Sequence, residues 1–281
     1  MKTILFFSMA ACLLISCDIS INGKPEPKTK EMTYSYACVD SSVAGSKVNR
    51  TIGKAGDFLR DIAVDEKNVT DKVQNEYGEA FHKDAIETGT FKLLDDAAIQ
   101  SYLDKALKEL LDVRTAPSAI DYKIYALNDT TVNAFTFGGR IYITKAMYDR
   151  CKNRPALLYA IIGHEIGHSE KGHIKKTIQE LMLHNKIFGE ENGTAVFQIK
   201  KLLTGSFNQK NELEADYYGT DLSYALNQDI CAAVVFWKEM AALENRYSQL
   251  EDFFRSHPFS SLRAECLESH IKTNFQRSCG K

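Results

Sequence analysis

The chain has 281 residues, with 35 Lys and Arg against 37 Asp and Glu, and 44% of its residues are hydrophobic. A formal net charge of −2 excludes partners that are gripped mainly by charge, so nucleic acid is not expected. The length suits one large domain or two small ones.

Residues 1–16 read as a targeting segment. Lys2 supplies a positive n-region, and Ile4 to Ile15 form an apolar run too short to span a bilayer stably. The run ends in Leu14-Ile15-Ser16-Cys17, which resembles the lipobox of bacterial lipoproteins. That resemblance implies cleavage before Cys17 and acylation of Cys17 itself, with the lipid bilayer as a partner. Two or more acyl chains suffice for stable anchoring. No later stretch reaches the ~18 continuous apolar residues of a membrane helix. The expected location is the bacterial cell envelope, lipid-anchored and facing the periplasm. Residues 17–30 hold the lipidated cysteine and a polar tether containing Pro25 and Pro27. Export permits disulfides among Cys38, Cys151, Cys231, Cys266 and Cys279, but spacing cannot pair them.

Residues 31–281 are expected to form one domain. Its first part, 31–118, reads as two long helical stretches, the first marked by Phe58, Leu59, Ile62 and Val69. The second carries Leu103, Ala106, Leu107, Leu110 and Leu111 and stops before Pro117. From 119 the pattern changes. "DYKIYALND" and "GGRIYIT" read as strands, and Gly138-Gly139 as a turn or bulge. Helices are then expected at about 155–186, 195–205, 208–225, 229–247 and 260–275. Strands confined to one short block of a helical chain predict an α+β fold that is mostly α.

Residues 164 to 173 read "HEIGHSEKGH". With 7 histidines in the chain, a chance H-E-x-x-H is expected in roughly 1 of 100 such sequences. On a helix His164 and His168 share one face and can reach one zinc ion, while Glu165 is offset and free to act as the general base. The neighbouring Gly163 and Gly167 would let another backbone come close. His173 is one residue out of register for a third ligand in the three-histidine pattern, so it reads as a helix-surface residue or a partner behind the metal. Glu212 of "NELEADYYG" is the better third ligand, making a His₂Glu catalytic site. Asp216, four residues on, shares its face and can hold a ligand imidazole from behind, whereas Glu214 points elsewhere.

The ordered set "NAFTFGGRIYIT", "HEIGH", "NELEADYYG" and "SHPFSSLRAECL", spanning about 119–270, resembles the M48 family of zinc metallopeptidases. The resemblance implies a zincin-like metallopeptidase domain whose small sheet lays an edge strand beside the HExxH helix. It also implies one zinc ion per chain on His164, His168 and Glu212, with Asp216 behind them and unfolded or misassembled polypeptides as substrates. An edge strand in "GGRIYIT", with Gly139 and Ile141, is expected to bind extended substrate by β-addition. Asn133 and Ala134 should bring the chain beside the cleft, while Phe135 and Phe137 read as core. His257 matches a family His-Pro motif and is expected either near the metal, aiding the oxyanion or holding the enzyme latent, or as a helix-entry residue before Pro258. Arg263 of the same motif is expected to bind a carboxylate near the site, placing it among the substrate-binding candidates. The lipoprotein-type members of the family imply protein quality control in the envelope; the competing expectation is a latent or non-proteolytic assembly factor using the same cleft.

Overall fold

A computed structural model describes residues 32–40, 66–188, 207–243, 257 and 261–280. The expected targeting segment and tether, Cys17, the expected helix at 195–205 and the marker residues Phe58, Leu59 and Ile62 lie outside these residues. The described helices are α1 (Ala37–Asp40), α2 (Asp71–Glu87), α3 (Ala97–Asp112), α4 (Lys145–Cys151), α5 (Pro155–Glu170), α6 (His173–Phe188), α7 (Gln209–Ala225), α8 (Cys231–Leu243) and α9 (Ser261–Phe275). Among the described residues three strands, β1 (Lys123–Leu127), β2 (Ala134–Phe137) and β3 (Arg140–Thr144), form one sheet. The fold is therefore α+β and mostly α, as expected.

Local chemistry sets the boundaries. Thr70, Asp96 and Asn208 cap α2, α3 and α7 with side-chain oxygens on free N–H groups, and Pro155 starts α5 where no donor is needed. Val69 precedes the Thr70 cap, so it is not part of a helix as its spacing suggested. The expected helix at 155–186 is two helices. Gly172, at φ +77°, turns the chain between α5 and α6 in the left-handed region that ends many helices. At Gly138 and Gly139, φ is +58° and +79°, as a two-residue hairpin turn between β2 and β3 requires.

The strand order is β1-β3-β2, with β1 parallel and β2 antiparallel to β3. This corrects the expected position of "GGRIYIT". Ile141 pairs with Ile124 on one side and Thr136 on the other, so β3 is the central strand. Both faces of the sheet are covered. Ile124, Ala134, Ile141 and Ile143 join the core around α3 and α5, while Phe137 and Tyr142 join Phe81, Ile174 and Ile178 of α2 and α6. That double burial leaves all five residues of β3 buried and suits its apolar centre, Ile141-Tyr142-Ile143.

Helix α5 runs through the middle of the domain and is apolar on all sides but one. It crosses α7 at two close points. A Cβ on Gly163 would lie 2.9 Å from Cα of Gly219, and one on Gly167 would lie 2.9 Å from Cα of Ala215. Two disulfides, Cys38–Cys266 and Cys231–Cys279, tie α1 to α9 and the start of α8 to the C-terminal tail. Among the described residues Cys151 is unpaired, and it is buried.

Candidate metal centre

Helices α5 and α7 each present two polar side chains toward the other. His164 and His168, one turn apart on α5, face Glu212 and Asp216, one turn apart on α7. The glycine contacts hold the two helices close enough for these short reaches to meet. Nε2 of His168 lies 3.0 Å from Nε2 of His164 and 3.4 Å from Oε1 of Glu212, and Nε2 of His164 lies 3.5 Å from Oε2 of Glu212. A tetrahedral zinc ion with bonds of ~2.0–2.1 Å has ligand-to-ligand edges of about 3.3 Å. The three residues therefore fit such an ion.

Other observations favour a cation here. Oε1 of Glu212 is buried and accepts no hydrogen bond among the described residues. Burial alone would lower the pKa of His164, but hydrogen bonds to Asp216 and Glu212, and their charges, outweigh it and hold the imidazole up at about 9. The carboxylates that favour a proton on His164 equally favour a metal ion. His168, with burial dominant, is pushed well below the usual imidazole range.

Each ligand imidazole is held from behind. His164 Nδ1–H donates to Oδ1 of Asp216 at 2.9 Å, which leaves the Nε2 lone pair facing the centre. Arg263, wholly buried, grips Asp216 with two bonds of 2.5 and 3.0 Å and reaches Glu212 at 2.8 Å. Its guanidinium carbon lies 4.1 Å from the centroid of the Trp237 ring. The expected carboxylate partner of Arg263 thus belongs to the protein itself, which corrects its place among the substrate-binding candidates. Burial opposes ionisation of Glu212 and Asp216, but the Arg263 charge and the histidines keep Glu212 well below, and Asp216 below, the ordinary carboxylate range.

Glu165 is 1% exposed, and burial raises its carboxyl above the usual value. It stands apart from the four residues whose ligand atoms lie within 4.8 Å of one another: His164, His168, Glu212 and His257. His257 comes closer to the centre than its sequence motif alone could specify. Its Nδ1 is 3.2 Å from both His164 Nε2 and Glu212 Oε2, while its Nε2 lies 3.0 Å from the Ala134 carbonyl and 3.4 Å from Glu165.

The sheet edge beside the centre is β2. Thr144 Oγ1 accepts from Asn133 N–H and donates to Asn133 C=O, which fixes the entry to β2, and the Ala134 carbonyl then points out of the sheet toward His257. The opposite edge is sealed. The Gln100 amide bonds both Ile124 C=O and Ala126 N–H, and Leu94 N–H donates to Ala126 C=O. Gly139 sits in the hairpin turn, and Ile141 is buried within the central strand. Neither offers an edge, so the expectation attached to them passes to β2. Phe137 is in the core, as expected, and Phe135 packs against it half-buried.

Sequence spacing left His173 between the helix surface and a place behind the metal, and it missed Glu214. His173 is buried against His168, and Glu214 points at His173 instead of away from the site. The Gly172 helix stop was the available signal for both.

Similarity to known proteins agrees with this geometry. The model of the family described as peptidase family M48 matches residues 97–271, more than half of the chain. The protein named Metalloprotease LoiP of Escherichia coli (strain K12) is 26% identical over 223 residues, which cover 70% of this chain and 86% of that protein. Mitochondrial metalloendopeptidase OMA1 of Arabidopsis thaliana is 26% identical over 188 residues, 63% of this chain and 37% of that protein.

Proposed function

The chain belongs to peptidase family M48 and is a zinc metalloendopeptidase, and we propose that it works tethered to a membrane through Cys17, cleaving misfolded or misassembled proteins of a bacterial cell envelope. The observation that carries the catalytic part is the meeting of His164, His168 and Glu212 at tetrahedral-edge spacing, with buried Glu165 next to His164 in the chain and 3.4 Å from His257.

Zinc, when bound by these three side chains, supplies a Lewis acid that polarises a carbonyl and lowers the pKa of water. Glu165 takes the proton from the attacking water and returns it to the leaving amine. Its burial suits the task, because a raised carboxyl pKa makes it a stronger base than an exposed carboxylate. Asp216 and Arg263 keep His164 and Glu212 oriented throughout. Extended substrate adds to the outer edge of β2, where main-chain pairing selects unfolded segments over folded ones.

Support for the location is indirect: the Leu14-Ile15-Ser16-Cys17 sequence, and two disulfides of the kind that persist in oxidising compartments. Among the described residues no helix is long and apolar enough to cross a membrane, which is consistent with a lipid as the tether.

The His257 contacts favour a second reading, in which this conformation is latent. One imidazole touches the metal ligands, the Glu165 carboxylate and the Ala134 carbonyl, the group an incoming strand would use. On that reading His257 withdraws before substrate enters. Cleavage of casein by the purified protein tests both readings, with zinc content determined in wild type, Glu165→Gln and His257→Ala. Zinc in all three, cleavage by wild type and none by Glu165→Gln is the expected result. Turnover by Glu165→Gln would remove it as the base. Faster cleavage by His257→Ala would make it a latch, whereas loss of cleavage with zinc retained would make it a group that assists the reaction.

A further inference from the structure

His168 has a partner behind it that the chemistry above does not use. In a continuous helix His173, five residues past His168, would lie about 140° around the axis from it. The turn at Gly172 breaks that register. Helix α6 starts at His173 and carries its imidazole back, so that Nδ1 lies 3.1 Å from His168 Nδ1 with the side chain 1% exposed. On its other side Nε2 of His173 lies 2.9 Å from Oε2 of Glu214, and Lys210 flanks that carboxylate at 3.8 Å.

The direction of these bonds follows from what His168 must do. Its Nε2 faces His164 and Glu212 and has to offer a lone pair to ligate. In the neutral ring the proton then sits on Nδ1, and the nearest acceptor is Nδ1 of His173. His173 accepts there, so its own proton sits on Nε2 and is donated to Glu214. An ionised carboxylate can only accept, which closes the chain without ambiguity. Phe207 packs on the His168 ring at 4.2 Å and limits its tilt, but it cannot choose the tautomer.

We infer that His173 and Glu214 are positioning residues that hold His168 in its zinc-ligating tautomer and orientation, as Asp216 does for His164. The inference rests on the zinc centre described above. It gives this site two unlike supports: a carboxylate placed directly behind His164, and a carboxylate acting through a second imidazole behind His168.

The test uses the full-length protein as wild type, His173→Phe, His173→Asn and Glu214→Gln. Zinc affinity is measured by competition with a chelator, the absorption spectrum of the Co²⁺-substituted protein is recorded, and metal-free melting curves show that each variant folds. Partners behind metal ligands are typically worth 10–100-fold in metal affinity, and His173→Phe should lose about that much. His173→Asn, whose side-chain oxygen can accept from His168 Nδ1, should recover about tenfold of it. Glu214→Gln, a near-isosteric change at a half-buried side chain and expected to fold, should fall between wild type and His173→Phe. The Co²⁺ spectrum should shift in His173→Phe and return toward wild type in His173→Asn. Zinc affinities within about twofold of wild type in His173→Phe and Glu214→Gln would overturn the inference. So would an Asn variant no better than Phe. A wild type that takes up no zinc would instead overturn the metal centre, and this inference with it.

Discussion

The spacing of the metal ligands depends on a contact that carries no chemistry of its own, and Gly219→Ala tests it. A Cβ at 219 would lie 2.6 Å from the His164 nitrogen, 2.8 Å from the Gly163 carbonyl carbon and 3.1 Å from the Ala160 oxygen. All three are backbone atoms of α5 and cannot swing aside. Ordinary contact begins near 3.5 Å, so α7 must retreat from α5 by about 1 Å. Glu212 lies two turns away on the same helix, and even half of that shift exceeds the ~0.2 Å tolerance of a metal site. Stability should respond much less. Overpacking costs about 1–3 kcal/mol, and the helix preference of Ala over Gly returns about 1 kcal/mol.

The expected signature is therefore selective: zinc affinity, measured by chelator competition, falls at least ~10-fold while the metal-free melting curve moves by only a few degrees. Gly163→Ala should be milder, because its nearest contact is 2.9 Å and the next are 3.2 and 3.4 Å. Equal zinc affinities in Gly219→Ala and wild type would refute the claim that this crossing sets the ligand spacing. A Gly163→Ala more damaging than Gly219→Ala would refute the steric reasoning.

Arg263→Ala should destabilise the protein by about 3–5 kcal/mol in denaturant unfolding, because it leaves two buried carboxylates without their cation. Arg263→Lys should recover less than half of that loss, since a single ammonium cannot grip Asp216 with two bonds while reaching Glu212. Asp71 joins α2 to Lys175 of α6 at 2.7 Å, and that hydrogen bond lowers its carboxyl below the usual range. Its contribution should be fully present above the free-chain value of ~3.9 and disappear as pH falls through the lower folded value. The gap in melting temperature between wild type and Asp71→Asn should accordingly be constant from pH 7 to about 5 and close in stronger acid, and a gap that widens on acidification would contradict the assignment. Replacing Cys231 and Cys279 by Ala opens a loop with a sequence separation of 48 and should cost about 4 kcal/mol by the chain-entropy relation, measured by unfolding in denaturant.

The centre was legible where one helix carried the whole pattern. His164, Glu165 and His168 lie within one turn of α5, and Glu212 and Asp216 within one turn of α7, so helical periodicity alone gave their relative directions. Features that depend on how elements meet were less accessible. "GGRIYIT" has the composition of a strand, but whether a strand is central or at an edge depends on its neighbours, and the four-residue β2 was too short to stand out as one. Its Ile-Tyr-Ile run did favour a position buried on both faces. His173 was left between the helix surface and a place behind the metal because the helix was carried through Gly172. Once the helix stops there, the five-residue offset from His168 no longer measures an angle. Spacing also put Arg263 near a carboxylate without saying whose, and that was decided by its complete burial against Asp216 and Glu212.

The charge of the site explains why it suits a divalent ion in particular. Glu165, Glu212 and Asp216 are all buried, and Arg263 is the buried cation that opposes them. With the ligand imidazoles neutral, three carboxylates against one guanidinium leave two negative charges in a medium where each unpaired charge costs several kcal/mol. The protein's own groups answer that excess by favouring protons: hydrogen bonds and charges from Asp216 and Glu212 hold the His164 pKa up at about 9, and burial raises that of Glu165. Neither proton is compatible with the proposed roles, because His164 needs a free Nε2 to ligate and Glu165 must be ionised to accept a proton. A dication on His164, His168 and Glu212 cancels the same two charges and frees both groups. The buried electrostatics that would be a liability in a metal-free core thus favour zinc binding and an ionised base together.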